Sequence, residues 1–148
     1  MRDAFATFGT GVTIVTAAGT DGRAVGFTAN SFASVSLDPP MLLVCPARGA
    51  SSLPVIETTG RFAVHVLAQG QRPLADRFSR RGVDRFEGLA WTADRHGTPR
   101  IEGSCARFAC ALEQPIEAGD HVVLLGRILD HESDPLLEPL LFVRGRYS

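Results

Sequence analysis

Apolar residues along this chain recur mostly with the two-residue period of strands, and stretches with a helical period are few. Val12 to Ala17 is rich in β-branched residues and reads as a strand. Gly19-Thr20-Asp21-Gly22 reads as a hairpin turn, with the return strand over Ala24 to Thr28. From Phe32 to Leu37 apolar and polar residues alternate. Asp38-Pro39-Pro40 ends that run, because proline cannot donate to a ladder. Met41 to Cys45 is uniformly apolar, the pattern of a strand buried on both faces. Phe62 to Leu67, Ser104 to Gln114, His121 to Leu129 and Leu140 to Val143 complete the strands, with a turn at Glu117-Ala118-Gly119-Asp120.

Helical signals are short. Ser51 or Ser52 caps a helix through Thr58 that Gly60 closes, with Leu53, Val55 and Ile56 on its apolar side. Gln71 to Arg80 sets Leu74, Ala75 and Phe78 on one side, and Arg2 to Phe8 is a brief segment ended by Gly9. Val83 to Gly103 reads as loop, with Trp91 packing on the barrel or on a partner subunit. Strand follows strand without helical crossovers. The expectation is a mainly β protein, an antiparallel barrel with two or three short helices, forming one domain over residues 1–148.

Composition narrows the function classes. A net charge of −1 gives no general attraction to nucleic acid or to anionic membrane. All fifteen basic residues are arginine, so neither a Schiff-base lysine nor a lysine general base is available. The three cysteines, Cys45, Cys105 and Cys110, are odd in number and show no C-x-x-C, which favours a reducing cytoplasm over a disulfide framework. No signal peptide and no membrane-length apolar run is visible.

Familiar catalytic motifs fail. Gly9-Thr10-Gly11 precedes a strand, whereas a dinucleotide fingerprint follows one and opens a helix. The four histidines and three cysteines lack zinc spacing, and no metal site is expected. No G-x-S-x-G elbow is present. Asp120 and His121 are chain neighbours, which on a strand point to opposite faces. His65 lies between Val64 and Val66 and faces away from both, as a hydrogen-bonded structural histidine would.

One stretch stands apart. Gly26 to Leu37 carries Thr28, Asn30, Ser31, Ser34 and Ser36 and no charge at all. Such a face suits a neutral, flat, hydrogen-bonding ligand, and it equally suits an edge strand whose hydroxyls meet water. Ser51 and Ser52 at a helix start, with Arg48 nearby, suit either a plain cap or a phosphate. Arg77, Arg80, Arg81 and Arg85 form a basic cluster that is either a solvated face or a contact for a cofactor phosphate.

Several blocks taken together resemble a known family. They are Gly11-Val12-Thr13-Ile14-Val15-Thr16-Ala17, Gly26-Phe27-Thr28-Ala29-Asn30-Ser31-Phe32 through Pro40, Gly60 to Leu67, Leu74-Ala75-Asp76-Arg77-Phe78, Arg85-Phe86-Glu87-Gly88, Ala118-Gly119-Asp120-His121 with Gly126-Arg127-Ile128, and Arg144-Gly145-Arg146-Tyr147. In this order they resemble the short-chain flavin reductases of the FMN-binding split-barrel family, the reductase components of two-component flavin monooxygenases.

The resemblance implies a Greek-key split barrel, a homodimer with flavin near the subunit interface, and FMN or FAD reduced by NADH or NADPH for delivery to a partner monooxygenase. By position it implies that Thr28, Ala29, Asn30 and Ser31 contact the flavin ring and ribityl chain. Ser34, Val35 and Ser36 would continue that wall, Cys45 and Pro46 would lie beside it, and Ser51 and Ser52 would hold the phosphate. His121 and Tyr147 would flank the nicotinamide, with Arg146 close by and Phe86 packed on the cofactor. His121 is the expected catalytic residue, orienting the nicotinamide carboxamide or gating access; its other reading is a structural histidine at a strand start. Two further readings use the same barrel: a non-catalytic flavin-binding module, or a flavoenzyme acting on a small organic substrate. This chain departs from the family in its shorter N-terminal segment, in His65 where many relatives carry Asn, and in offering Arg48 where they carry Lys.

Overall fold

The computed structural model describes residues 1–148. Its strands are β1 (Thr10–Gly11), β2 (Thr13–Ala18), β3 (Ala24–Ala29), β4 (Phe32–Leu37), β5 (Pro40–Val44), β6 (Arg61–Val66), β7 (Thr92–Ala93), β8 (Pro99–Arg100), β9 (Ala106–Ala118), β10 (His121–Ser133), β11 (Leu141–Val143) and β12 (Arg146–Tyr147). The helices are α1 (Arg2–Phe5), α2 (Leu53–Thr59) and α3 (Arg72–Arg77). None is long and apolar enough to cross a membrane.

Seven strands form one antiparallel sheet in the order β3-β2-β6-β9-β10-β5-β4. Its two edges, β3 and β4, are consecutive in the chain and joined only by Asn30 and Ser31. Two residues span less than about 10 Å even when extended. The sheet must therefore curl until its edges nearly meet, without pairing along their length. That is a split barrel. The Ser31 hydroxyl anchors the link to β5, one step beyond the Phe32–Val44 pair: it accepts the Cys45 N–H at 3.0 Å and donates to the Cys45 carbonyl at 3.1 Å.

Two apolar clusters share the same strands. Val15, Ala17, Phe62, Val64, Leu42, Val44 and Leu124 fill the barrel, closed at one end by Leu53 and Ile56 of α2. Val12 and Ile14 point to the other face, where Leu67, Ala75, Phe78, Phe86 and Ile101 cover them. So β2 is the strand buried on both faces. The apolar run Met41 to Cys45 is not. Leu42 and Val44 are buried while Met41, Leu43 and Cys45 are half-exposed, because nothing in this chain covers the outside of β5. The helix expected over Gln71 to Arg80 is also shorter than expected. A 3₁₀ turn at Gln69–Gln71 leads into α3, and the chain leaves the helix at Phe78. Trp91 packs on its own chain, edge to face with Phe86 at 5.9 Å.

Gly126 is dictated by close approach, since a Cβ there would lie 2.6 Å from the Phe62 ring and 3.0 Å from Cys110 Cβ. Overpacking of that kind costs about 1–3 kcal/mol.

Polar staples hold the long loop between α3 and β9 against the outer face. Arg107 on β9 pairs with Asp94 at 2.7 Å, and both side chains are almost fully buried. Burial alone would raise the Asp94 carboxyl. The Thr98 hydroxyl and N–H, the Arg107 guanidinium and the His96 N–H instead hold it below its ordinary value. The Thr16 hydroxyl donates to the Pro99 carbonyl at 2.7 Å, and the Gln71 amide donates to the Glu102 carbonyl at 2.9 Å.

His65 is the innermost of these staples. Its Nδ1–H donates to the Ile14 carbonyl at 3.2 Å, and its Nε2 accepts the Ile101 N–H at 3.2 Å. Both nitrogens are satisfied in one neutral tautomer, and burial, reinforced by the Arg107 charge, lowers the ring from 6.5 to about 4. The unfolded chain binds this proton between those values and the folded chain does not. Stability therefore falls as pH drops through this window, by roughly 3 kcal/mol in all. We expect the His65 ring to stay unprotonated by NMR down to about pH 5 and the urea midpoint to fall between pH 7 and pH 5; ring titration near 6.5 would contradict this.

Candidate functional site

A cavity of about 1210 Å³ opens where the barrel seam meets the outer loop. One wall is the end of β3 and its continuation, Gly26 to Ser31. The strand can lie close to its support because Gly26 lacks a Cβ, which would sit 2.8 Å from the Val15 carbonyl and 3.0 Å from the Phe78 ring. The neighbouring wall is Cys45, Pro46 and the turn Gly49 to Ser52 leading into α2. His121, first residue of β10, stands at another side, and the loop from Phe78 to Phe86 closes the remainder.

The polar side chains of the wall divide into occupied and free. The Thr28 hydroxyl donates to the Ala75 carbonyl at 2.7 Å, and the Thr28 N–H donates to the Phe78 carbonyl, so this residue fastens β3 to α3. Ser31 is occupied by Cys45. Asn30 is exposed and makes no side-chain hydrogen bond within the chain, leaving its amide for a ligand. Ser52 begins α2 without a side-chain capping bond, so its hydroxyl is also free at the cavity. α2 has only seven residues, so its dipole adds little to the hydroxyls of Ser51 and Ser52. Burial pushes the Cys45 thiol up, which keeps this wall uncharged.

His121 and Asp120 are not turned apart. Asp120 lies in the tight turn before β10, where Gly119 has φ 63°, so the alternation of a strand does not apply to it. His121 Nδ1 lies 2.7 Å from Asp120 Oδ1, and that hydrogen bond and the imidazole charge, with Arg48 adding, hold the Asp120 carboxyl low. With Nδ1 engaged, Nε2 is the nitrogen available to a ligand.

The cavity thus brings together Thr28, Ala29, Asn30, Ser31, Cys45, Pro46, Ser51, Ser52, Phe86 and His121. It leaves out Ser34, Val35 and Ser36, which lie on β4, an edge strand bulged between Ser34 and Ser36, on the far side of the Asn30-Ser31 link. Arg146 and Tyr147 are elsewhere too. The two-residue turn Arg144-Gly145, both at positive φ, folds β12 back on β11, and Tyr147 packs on Phe142 at 5.1 Å with the Arg72 guanidinium 5.1 Å above its ring. Phe86 reaches the cavity as part of the outer core, 5.0 Å from Phe78, and not as a free aromatic face.

Arg48 is excluded as well. It pairs with Glu117, and its Nη2 donates to the Gly119 carbonyl at 2.7 Å. The cations that line the cavity are Arg23, Arg80, Arg81 and Arg85. Arg23 was not singled out from the sequence; its signal was its place on the hairpin that leads into the uncharged strand.

Asn30 and Ser31 are separable by experiment. Asn30→Ala should leave stability within about 0.5 kcal/mol of the parent and weaken ligand binding severalfold. Ser31→Ala should lower stability by about 1–2 kcal/mol, because it leaves the Cys45 N–H and carbonyl without partners. Equal urea midpoints for the two variants would contradict this division.

Comparison with known proteins places these features in context. A family model described as a flavin reductase like domain matches residues 5–148. The reductase component of a flavin-dependent trigonelline monooxygenase from Acinetobacter baylyi is 44% identical over 99% of this chain, which spans 47% of that protein. An NADH-dependent FMN reductase from Agrobacterium fabrum is 44% identical over 91% of this chain and 78% of its own length. The solved structure of an NADH:FAD oxidoreductase from Streptomyces globisporus, in complex with NAD and FAD fragments, superposes with a TM-score of 0.93 at 38% identity, covering 99% of this chain and 88% of that one. The curated relatives it matches are longer than this chain, which spans only 47% to 64% of the length of three of them.

Proposed function

The chain belongs to the flavin reductase like family, and on that premise we propose that it is an NAD(P)H:flavin oxidoreductase that supplies reduced flavin to a partner monooxygenase. The observation that carries this reading is the uncharged wall from Gly26 to Ser31 and from Cys45 to Pro46, set in a groove of about 1210 Å³ between free polar groups and arginines. A neutral planar ring needs close backbone approach and a few hydrogen bonds, and this wall offers both.

FMN or FAD fits the residues present. Asn30 would hydrogen-bond the ring edge, Ala29, Cys45 and Pro46 would bound the ring, and the hydroxyls of Ser51 and Ser52 would receive the first phosphate. When bound, the flavin supplies the redox chemistry, accepting hydride from NADH or NADPH. The chain's own task is orientation and exclusion of water. His121 is held through Nδ1 by Asp120, which leaves Nε2 free; it would hydrogen-bond the nicotinamide carboxamide and orient it. No acid, base or nucleophile on the protein is required, and the chain carries none of the familiar motifs for one.

A homodimer completes this reading. Leu43 and Leu125 are cross-strand partners on the outside of the barrel, half-exposed, beside Val35 at 46% and Leu37 at 94% exposure. A second copy would cover this face, and it offers a setting in which Ser34, Val35, Ser36, Arg146 and Tyr147 could serve a groove other than their own. Three free cysteines and a requirement for NAD(P)H fit a cytoplasmic location.

The test is spectrophotometric. Purified protein should oxidise NADH or NADPH at a rate that saturates with added FMN, FAD or riboflavin. No oxidation with any flavin would reject the proposal, and oxidation that needs an organic acceptor would point to a different flavoenzyme. His121→Ala should slow the reaction at least severalfold with flavin affinity nearly unchanged; full turnover would remove His121 from the site. Leu125→Glu should shift the sedimenting species from dimer to monomer, and a wild type that sediments as a monomer would refute the dimer.

A further inference from the structure

Four arginines line the groove without ion-pair partners. Arg23 ends the β2–β3 hairpin, and Arg80, Arg81 and Arg85 come from the loop after α3. None lies within salt-bridge distance of a carboxylate, although other surface arginines of this chain, such as Arg48, Arg95 and Arg100, do. The two carboxylates on the same rim are turned to the backbone. Asp21 Oδ1 accepts the Arg23 N–H at 3.0 Å, and Asp84 Oδ1 accepts the Phe86 N–H at 3.1 Å.

The rim is also fixed in place. Arg85 donates through Nη1 to the Gly26 carbonyl at 2.6 Å and through Nε to the Arg80 carbonyl at 2.9 Å, which ties the loop to the β3 wall. Burial, and then the charge of Arg81, push the Arg85 guanidinium below its ordinary value. Like charges held together in a groove without counter-ions raise the energy of the free protein, and an anion relieves it. Ser51 and Ser52, on a different element, already offer a place for one phosphate. At about 1210 Å³ the groove exceeds the roughly 300–1,000 Å³ usual for a single small ligand.

We propose that Arg23, Arg80, Arg81 and Arg85 form a second phosphate subsite, which takes the diphosphate of a dinucleotide. This rests on the flavin reading of the groove. The diphosphate belongs either to FAD, making FAD the preferred flavin over FMN, or to the nicotinamide dinucleotide. Planar guanidinium groups suit it, since they bind phosphate oxygens in bidentate fashion.

The test measures binding and not turnover. Arg80 and Arg81 are exposed and their side chains make no hydrogen bond in the fold, so R80A/R81A should remain folded. Dissociation constants for riboflavin, FMN, FAD and NAD⁺ are measured on both proteins by fluorescence quenching and calorimetry. We expect FAD to weaken about tenfold in the variant while riboflavin and FMN change less than threefold. A tenfold loss confined to NAD⁺ also supports the subsite and assigns it to the nicotinamide dinucleotide. Less than threefold change for every ligand overturns the proposal and leaves the arginines to a protein partner. A parallel loss for riboflavin overturns it too, since riboflavin carries no phosphate. A wild type that binds no flavin would remove the proposed function, and inorganic pyrophosphate then decides the subsite alone: binding lost in R80A/R81A supports it, and no binding to the wild type overturns it.

Discussion

The two-residue link Asn30-Ser31 governs this structure. It joins the two edges of a seven-stranded sheet, so the sheet has to curl, and the curl has to leave a seam. A seam between unpaired edges would expose backbone donors and acceptors. At the link itself Ser31 bonds both backbone groups of Cys45, which anchors the turn between the two edges to the end of β5. The same closure sets the uncharged end of β3 beside the chain leaving β5. The ligand groove is a by-product of how the barrel closes, and that is why its wall consists of small residues and backbone.

The second dependency is the double burial of β2 and β6. Their inner faces fill the barrel, and their outer faces need cover from the chain beyond α3. That long loop has little regular structure of its own, and the polar staples made by His65, Gln71, Asp94 and Arg107 hold it down. A buried ion pair is weak evidence for stability, because desolvation offsets much of the attraction. Here its clearer effect is register: Asp94 satisfies two backbone N–H groups, a hydroxyl and Arg107 at once, which fixes one loop conformation. That conformation is continuous with the segment carrying Phe86 and the groove arginines, so packing on the outer face and the composition of the groove are one problem.

Much of this was legible from residue patterns. Strand positions followed from period-two alternation, and Gly60 closes α2 with φ 67°, as its place after the apolar run implied. The structural role of His65 followed from its phase against Val64 and Val66. What the pattern could not carry was closure. Gly26 to Leu37 reads as one uncharged ribbon, yet Thr28 and Ser34 lie on opposite edges of the sheet. Arg48 looked like the phosphate cation because it is near Ser51 in sequence, but Glu117, remote in sequence, claims it. Asp120 and His121 looked divergent because strand geometry was extended one residue too far, into the turn. The first two errors came from treating chain proximity as spatial proximity; the third came from carrying strand alternation into a turn, where neighbouring side chains can meet.

The distribution of charge in the groove bears on what a reductase of this kind has to do. Hydride transfer between two rings involves no protein nucleophile, so the wall facing the rings gains nothing from ionisable groups and loses close approach if it carries them. Affinity then has to come from parts of the ligand remote from the reacting atoms. Phosphates are such parts, and in the proposed reading the unpaired arginines and free hydroxyls that line the groove would meet them. This separation has a kinetic side. Arginines exposed at a groove mouth hold a charged ligand by contacts that salt and water weaken readily, whereas a buried ion pair would hold it long. If the product leaves for another enzyme, as proposed, the former serves it better. The absence of lysine is no handicap to the proposed reading, because arginine is a planar, permanently charged phosphate binder and hydride transfer asks for no amine chemistry.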